Sequence, residues 1–372
     1  MNTDVLRNAR GRLALGAAGG LAASLALLLA PGAATAQGFS FAGKQIEIVV
    51  PFAPGGATAV TARFLAPYFE KHLPGKPRVN VVTRPGGSSL LGAAWVEQNA
   101  KPDGLIFLFT TSSTANPFVL GQQGVQYDLL KKRIGFSQSF GPVAYVSPDT
   151  GVKIAKDLLK PAKQLSYGGI GAAASDLPII LSFEVLKLNP KVALGFTGRG
   201  PIRIAFERGD TNFDFQFTPV YLTQVVPAVT AGKAIPLYTG GSADENGHFT
   251  KRDLVVKDLP SLHEAHQAMY GKTPSGVAWD AYEKAATLTY QYGLTAYLHG
   301  DTPKPILDAY NKAVDAMNAD PAFQAEAKKV TGGYPLIRGD VAEPHLRTAL
   351  KAGGPAHDYT KQLLSTKYKV RF

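Results

Sequence analysis

Residues Ile46–Phe69 read IEIVVPFAPGGATAVTARFLAPYF. Ile46–Pro51 is a continuous β-branched run ended by proline, the pattern of a short buried strand. Ala57–His72 then places Val60, Phe64, Leu65 and Tyr68 on one helical face. Between them, Phe52-Ala53-Pro54-Gly55-Gly56 breaks the chain, and small residues fill the next helical turn. In open α/β sheets, ligands bind where strands end and helices begin. There the first helical N–H groups have no intrahelical acceptor and the helix dipole is positive. Gly55 and Gly56 allow close backbone approach, and Ala57, Thr58 and Ala59 keep the first turn small. The stretch therefore suits a carboxylate or another small oxyanion. A plain tight βα turn explains the same residues equally well.

The alternation continues on both sides. Val79–Val82 reads as a strand, Ser88–Gln98 as a helix and Leu105–Thr110 as a strand. Leu165–Tyr167, Val192–Phe196, Asn212–Phe217, Ile235–Thr239 and Tyr290–Leu298 also read as strands. Helices are expected at Leu177–Leu188, Pro201–Arg208, Val225–Ala231, Pro303–Asn318 and Pro321–Val330. Short Gly/Pro loops join them, which is the signature of a helix-covered, largely parallel α/β sheet. No fixed-period repeat interrupts it.

The ends and the composition narrow the class. Arg7, Arg10 and Arg12 precede an uncharged apolar run, Leu13–Ala30, and Ala34-Thr35-Ala36 fits a signal-peptidase site. Cleavage after Ala36 and a periplasmic location are expected, an anchoring helix being the alternative. No cysteine occurs, so disulfides and thiolate metal sites are excluded. The formal charge is +11, a balance that favours anionic partners. The lysines and arginines are scattered, so a small anion is expected rather than nucleic acid.

Two further loops could hold a polar ligand. Gly169, Gly171 and Ala174, with Ala172 and Ala173 between them, match the spacing of a dinucleotide fingerprint. Lys191–Phe196 lacks the ribose-binding acid, so a second oxyanion-facing loop is expected and no cofactor. Thr110-Thr111-Ser112-Ser113-Thr114 comes at the end of the strand from Leu105, where hydroxyls can orient a ligand or cap a helix, and Ser112, Ser113 and Thr114 are the ligand candidates. His263 and His266 stand three apart without a third ligand, so a solvated helix end is preferred to a metal site. Arg208-Gly209-Asp210 reads as a helix-ending turn. No nucleophile–base arrangement or catalytic motif is present, and an enzyme is not expected.

Taken in order behind a signal peptide, several segments resemble the Bug-type extracytoplasmic solute receptors of tripartite tricarboxylate transporters. They are IEIVVPFAPGGATAVTAR, VVTRPGGSSLLGAAWV, KPDGLIFLFTTSSTANP, LSYGGIGAAASD, GFTGRGP, PAVTAGKAIPLYT, DLPSLHEA and TPKPILDAYNKAVDAMNADPAFQ. The resemblance implies a two-lobed type II periplasmic-binding-protein fold, with two mixed sheets flanked by helices and a ligand cleft between the lobes. Residues 37–143 and 289–372 would form one lobe and 144–288 the other, with crossings near Pro142–Ser147 and Tyr290–Leu298. It implies a monomer that grips a small organic carboxylate between loops 52–58 and 169–174 and delivers it to membrane permease subunits. A sensor that presents its ligand to a membrane kinase, or an exported hydrolase, are the alternatives. The sequence departs from the family pattern at Ala59, Ala174, Leu177, Phe196, Thr197, Arg199 and Thr218. Phe52, Phe196 and Phe217 then suggest a more apolar pocket, fit for a monocarboxylate or aromatic carboxylate, with Thr197, Arg199 and Thr218 near it and Arg199 meeting the carboxylate.

Overall fold

The computed structural model describes residues 39–351 and 353–372. The expected signal peptide lies outside the described residues. Among the described residues, eleven strands form two mixed sheets flanked by helices, one sheet in each of two lobes.

The first sheet is built around β1 (Gln45–Val50), which pairs in parallel with β2 (Arg78–Thr83) and β3 (Ile106–Thr110). Helix α1 (Ala57–His72) links β1 to β2, and α2 (Leu90–Asn99) links β2 to β3. Helix α3 (Ser112–Leu120) follows β3, and β4 (Arg133–Gln138) then joins the sheet. The second sheet contains β5 (Pro142–Val146), β6 (Ser166–Gly169), β7 (Lys191–Leu194), β8 (Phe213–Phe217) and β9 (Ile235–Thr239) in the order 7-6-8-5-9. Helix α4 (Leu177–Val185) separates β6 from β7, and α5 (Arg199–Arg208) separates β7 from β8. After β8, α6 (Thr218–Val220) runs through a π-helical turn at Tyr221–Val225 into α7 (Val226–Thr230).

Helices α8 (Leu262–Tyr270) and α9 (Val277–Ala286) precede the return to the first sheet. There β10 (Leu294–Leu298) lies antiparallel between β3 and β4, and β11 (Leu336–Arg338) closes the far edge. Helices α10 (Lys304–Ala319) and α11 (Pro321–Val330) lie between these two strands in sequence. Two C-terminal helices, α12 (Gly339–Ala349) and α13 (Pro355–Tyr368), complete the chain. Among the described residues no helix is long and apolar enough to cross a membrane.

The reasons for these elements are local. β3, β5 and β8 are buried nearly throughout, so apolar runs rather than alternation mark them. Helix α1 buries Ala62, Leu65 and Phe69 against the sheet and accommodates Pro67 within its length. Phe69, Phe107, Phe136 and Tyr310 pack with ring centroids 5.0–6.1 Å apart, mostly tilted or edge-on. In the second lobe Tyr167, Phe183 and Phe213 do the same.

Two expectations change. The strand expected at Tyr290–Leu298 begins only at Leu294, because Thr287–Gln291 continues α9 as a π-helical turn. Pro142–Val146 is a strand paired with β8 and β9, so the chain leaves the first sheet at Ser139–Gly141, earlier than expected. It returns at Tyr292-Gly293.

Candidate functional site

The chain brings four helix N-termini to one place between the lobes. Gly56, Ala57, Thr58 and Ala59 open α1, and Thr111 is the N-cap residue of α3. Ser175 precedes α4, and Arg199 opens α5. All of these residues line one cavity, with Phe52, Ile170 and Phe217 as its apolar wall. Helix N-termini carry partial positive charge and unpaired N–H groups. Gly56 offers no side chain to cap α1. Converging ends of this kind favour an anion.

The lobes meet directly around this point. Ala53 N–H donates to Thr197 O at 3.1 Å. Ser88 Oγ donates to Ile170 O at 3.0 Å, and Asn116 Nδ2 donates to Ala174 O at 3.1 Å. Ser175 N–H donates to Ser113 Oγ at 2.9 Å. A Cβ on Gly200 would sit 3.0 Å from Gly55 C and Pro54 O, so glycine permits this approach. A Cβ on Gly171 would come within 2.6 Å of Ser88 Oγ. The cavity left between the lobes is about 10 Å³, room for roughly one water. A larger cavity of about 250 Å³ lies elsewhere, between α3, α9 and the C-terminal helices, and neither glycine loop lines it.

Beneath the second-lobe wall lies a buried ionic cluster. Arg199 is 4% exposed, while Asp176 and Asp214 are fully buried. The Arg199 guanidinium donates to Asp176 Oδ1 at 2.9 Å, to Asp214 Oδ1, to Phe215 O and to Tyr167 Oη at 3.2 Å. It stacks 3.8 Å from the Phe215 ring centroid. Tyr145 Oη at 2.5 Å and Gln216 Nε2 at 3.0 Å donate to Asp214 Oδ2. Arg199 Nε is buried without a partner. Burial works to lower the Arg199 pKa, but Asp214, Tyr167 and Asp176 outweigh it and hold the charge. Burial raises the Asp214 carboxyl above its usual range by more than Arg199 lowers it. Tyr167 is held neutral by burial and then by Asp176.

Several expected ligand contacts are thereby reassigned. Arg199 lines the cavity, but its guanidinium is engaged by two aspartates rather than free for a ligand. The loop after Gly169 does not present free donors, since the N–H groups of Ile170 and Gly171 go to Asp176 Oδ2 at 2.9 and 3.3 Å, while Gly169 itself ends β6. Ala172, Ala173 and Ala174 are buried behind the wall, and Ala174 N–H closes a turn onto Gly171 O. Ser112, Ser113 and Thr114 are buried and spent internally, on Thr289, Ser175, and Thr110 with Ser89. Thr197 contributes its carbonyl to the lobe contact, and Thr218 Oγ1 donates to Gly141 O at 2.8 Å. Ala53, Pro54 and Gly55 form the lobe contact itself, whereas Phe52, Gly56 and Thr58 reach the cavity.

Phe217 and Ala59 also line the cavity, while Phe196 packs over Gly168 instead. Ala57, Thr111, Ile170 and Ser175 complete the lining. Of these, Thr111 belongs to the hydroxyl run Thr110–Thr114 already singled out in the sequence, and it is the N-cap of α3. His266 Nδ1 lies 2.9 Å from Lys272 O, and His263 packs on Trp279 with centroids 5.9 Å apart.

No protein-family model and no curated protein matches this chain. Solved structures do match it. The periplasmic binding protein BugD superposes with a TM-score of 0.64 at 19% identity, over 88% of this chain and 99% of that one. An R. palustris protein solved with adipate gives 0.65 at 16% identity, over 88% and 98%. MatC from Rhodopseudomonas palustris with bound malate gives 0.62 at 18% identity, over 85% and 98%. The chain has the fold of the Bug-type periplasmic binding proteins.

Proposed function

We propose that this protein is a periplasmic solute receptor. It captures a small organic carboxylate between its lobes and hands it to the permease subunits of a tripartite tricarboxylate-type transporter. The observation that carries this reading is the convergence of α1, α3, α4 and α5, by their N-termini, on one interlobe cavity. The fold adds support, since two proteins sharing it were solved with adipate and malate. The contacts we assign to the ligand are Gly56, Ala57, Thr58 and Ala59 by backbone, Thr111 and Ser175, with Phe52 and Phe217 against its apolar part. The reading involves no chemical step: the protein binds, closes and releases.

The test is a thermal-shift screen of the chain from Gln37 to Phe372 against mono-, di- and tricarboxylates, amino acids and aromatic acids. A ligand at about a hundred times its dissociation constant stabilises the fold by roughly 2.7 kcal/mol. Selective stabilisation by one group of carboxylates is expected. Stabilisation only by neutral or cationic compounds, or by none, counts against the reading.

A further inference from the structure

The second lobe contains a carboxylate-binding site that the chain fills with its own side chain. We propose that Asp176 is an internal carboxylate, tethered where a ligand carboxylate would otherwise be bound, and that it withdraws the Ile170, Gly171 and Arg199 donors from the ligand.

Asp176 occupies the N-cap position of α4, where an aspartate ordinarily accepts from the N–H groups two or three residues on. It makes no such bond. Its carboxylate turns back onto its own loop and accepts from Ile170 N at 2.9 Å, Gly171 N at 3.3 Å, Arg199 Nη1 at 2.9 Å and Tyr167 Oη. Successive backbone N–H groups make an anion-binding concavity. A guanidinium fork is the side chain best shaped for a carboxylate. A carboxylate has about four acceptor positions, and four donors supply them. Gly169 belongs to the same construction, because a Cβ there would lie 3.0 Å from Asp176 Oδ1.

The site adjoins the interlobe cavity, since Ile170, Ser175 and Arg199 line that cavity. An arriving carboxylate therefore finds these donors already used. What remains for it is the N-terminus of α1 with Thr111, and the Ser175 N–H once the lobes part. A second carboxylate on the ligand would approach the second-lobe wall, behind which Asp176 and Asp214 lie buried on one guanidinium that is already spent on them. This consequence rests on the receptor reading above, and it narrows the ligand to a monocarboxylate whose remainder is apolar. The filling of the site by Asp176 does not depend on that reading.

The experiment removes the tether and supplies the free ion. The Asp176→Ala variant of the Gln37–Phe372 chain is unfolded in urea with increasing sodium formate or acetate, with sodium chloride at matched ionic strength as control. The folding equilibrium constant of the variant should rise with formate, about tenfold per tenfold concentration once past saturation. The unsubstituted chain and Asp176→Asn should respond to formate no more than to chloride. Equal responses to formate and chloride in Asp176→Ala overturn the proposal. Where that variant does not fold in plain buffer, refolding from urea with and without formate is the readout. No recovery in formate then overturns it as well. Failure of the receptor reading looks different: formate rescues the variant, yet no carboxylate stabilises the unsubstituted chain. The ligand consequence is checked by calorimetry with acids of equal chain length. A dicarboxylate bound more than tenfold tighter than the matching monocarboxylate refutes it.

Discussion

Replacing Arg199 by leucine removes the cation paired with two fully buried carboxylates. Leucine is shorter and gives up the stacking of the guanidinium on Phe215, so lost packing adds to the electrostatic cost. Removing one partner of a buried pair typically costs about 3–5 kcal/mol, because the remaining charge is left uncompensated. A folded unit of roughly 330 residues has an unfolding entropy near 0.7 kcal/mol/K, so the melting temperature should fall by about 4–7 °C. The loss should also depend on pH. The Asp214 carboxyl is already raised by burial, with Arg199 as the leading counterweight. A carboxyl raised in the folded state contributes stability that is complete below its unfolded pKa, near 3.9, and lost as pH rises through its folded value. Without Arg199 that folded value moves higher, so the penalty grows with pH, by up to about 1.4 kcal/mol per pH unit for each proton involved. Urea unfolding near pH 5 and near pH 7.5 measures this, with the larger loss expected at about pH 7.5. A loss under about 1 kcal/mol, or one equal at both pH values, would refute the account of Arg199 as the structural cation of the second lobe.

Three further outcomes follow from the same contacts. Gly200→Ala places a methyl group 3.0 Å from Gly55 C and Pro54 O; overpacking of about 1–3 kcal/mol in the directly closed form should shift the unliganded chain toward parted lobes and enlarge its radius of gyration in X-ray scattering. Unchanged scattering would contradict it. Phe217→Ala removes a ring that packs 4.0 Å from Phe140 and walls the cavity; a stability loss of about 3–5 kcal/mol is expected in urea unfolding, together with acceptance of bulkier acids in the thermal-shift screen. Asp320 is held below the usual carboxyl range by Lys71 and then His72, and it caps α11. Its contribution is present above the unfolded pKa and lost as pH falls toward the folded one. Asp320→Asn should therefore flatten the acid limb of a melting-temperature profile, an effect that high salt should diminish.

The parts of the fold that were legible share one property: the local signal and the tertiary demand agree. Helix α1 has the expected bounds, Ala57–His72, because a Pro/Gly break, small first-turn residues and an apolar face coincide. The π-helical turn at Thr287–Gln291 was not legible, since its β-branched and aromatic residues favour a strand until packing decides otherwise. Helix α3 was read as a hydroxyl-rich loop because Ser112, Ser113 and Thr114 favour turns and caps, and Pro117 lies within it. At the candidate site, the first loop's break and helix start were readable from its own residues, and Phe52, Gly56 and Thr58 line the cavity. The second was misread because the glycines suggested an open anion cradle, while the group that fills it, Asp176, is set against Arg199, 23 residues away. Nothing in local spacing distinguishes an arginine awaiting a ligand from one already paired across strands.

The closed cleft also sets a competition that fixes how tightly any ligand can bind. With about 10 Å³ between the lobes, an organic acid enters only if they part. Binding then exchanges lobe-to-lobe hydrogen bonds for bonds to the ligand, and observed affinity is reduced by the fraction of molecules that are open. The Ser175 N–H is the clearest case. It lines the cavity and is a natural donor to a carboxylate, yet Ser113 Oγ accepts from it at 2.9 Å when the lobes meet. Ser113→Ala removes that acceptor. In the directly closed form Ser175 N–H is left buried and unpaired, whereas in the open form it meets water or the ligand. The closed form alone is destabilised, by about 1 kcal/mol. Carboxylate binding should therefore tighten roughly fivefold in calorimetry, although the substitution deletes a polar group at the site. Weaker binding would mean that Ser113 holds the lobes around the ligand rather than in its place.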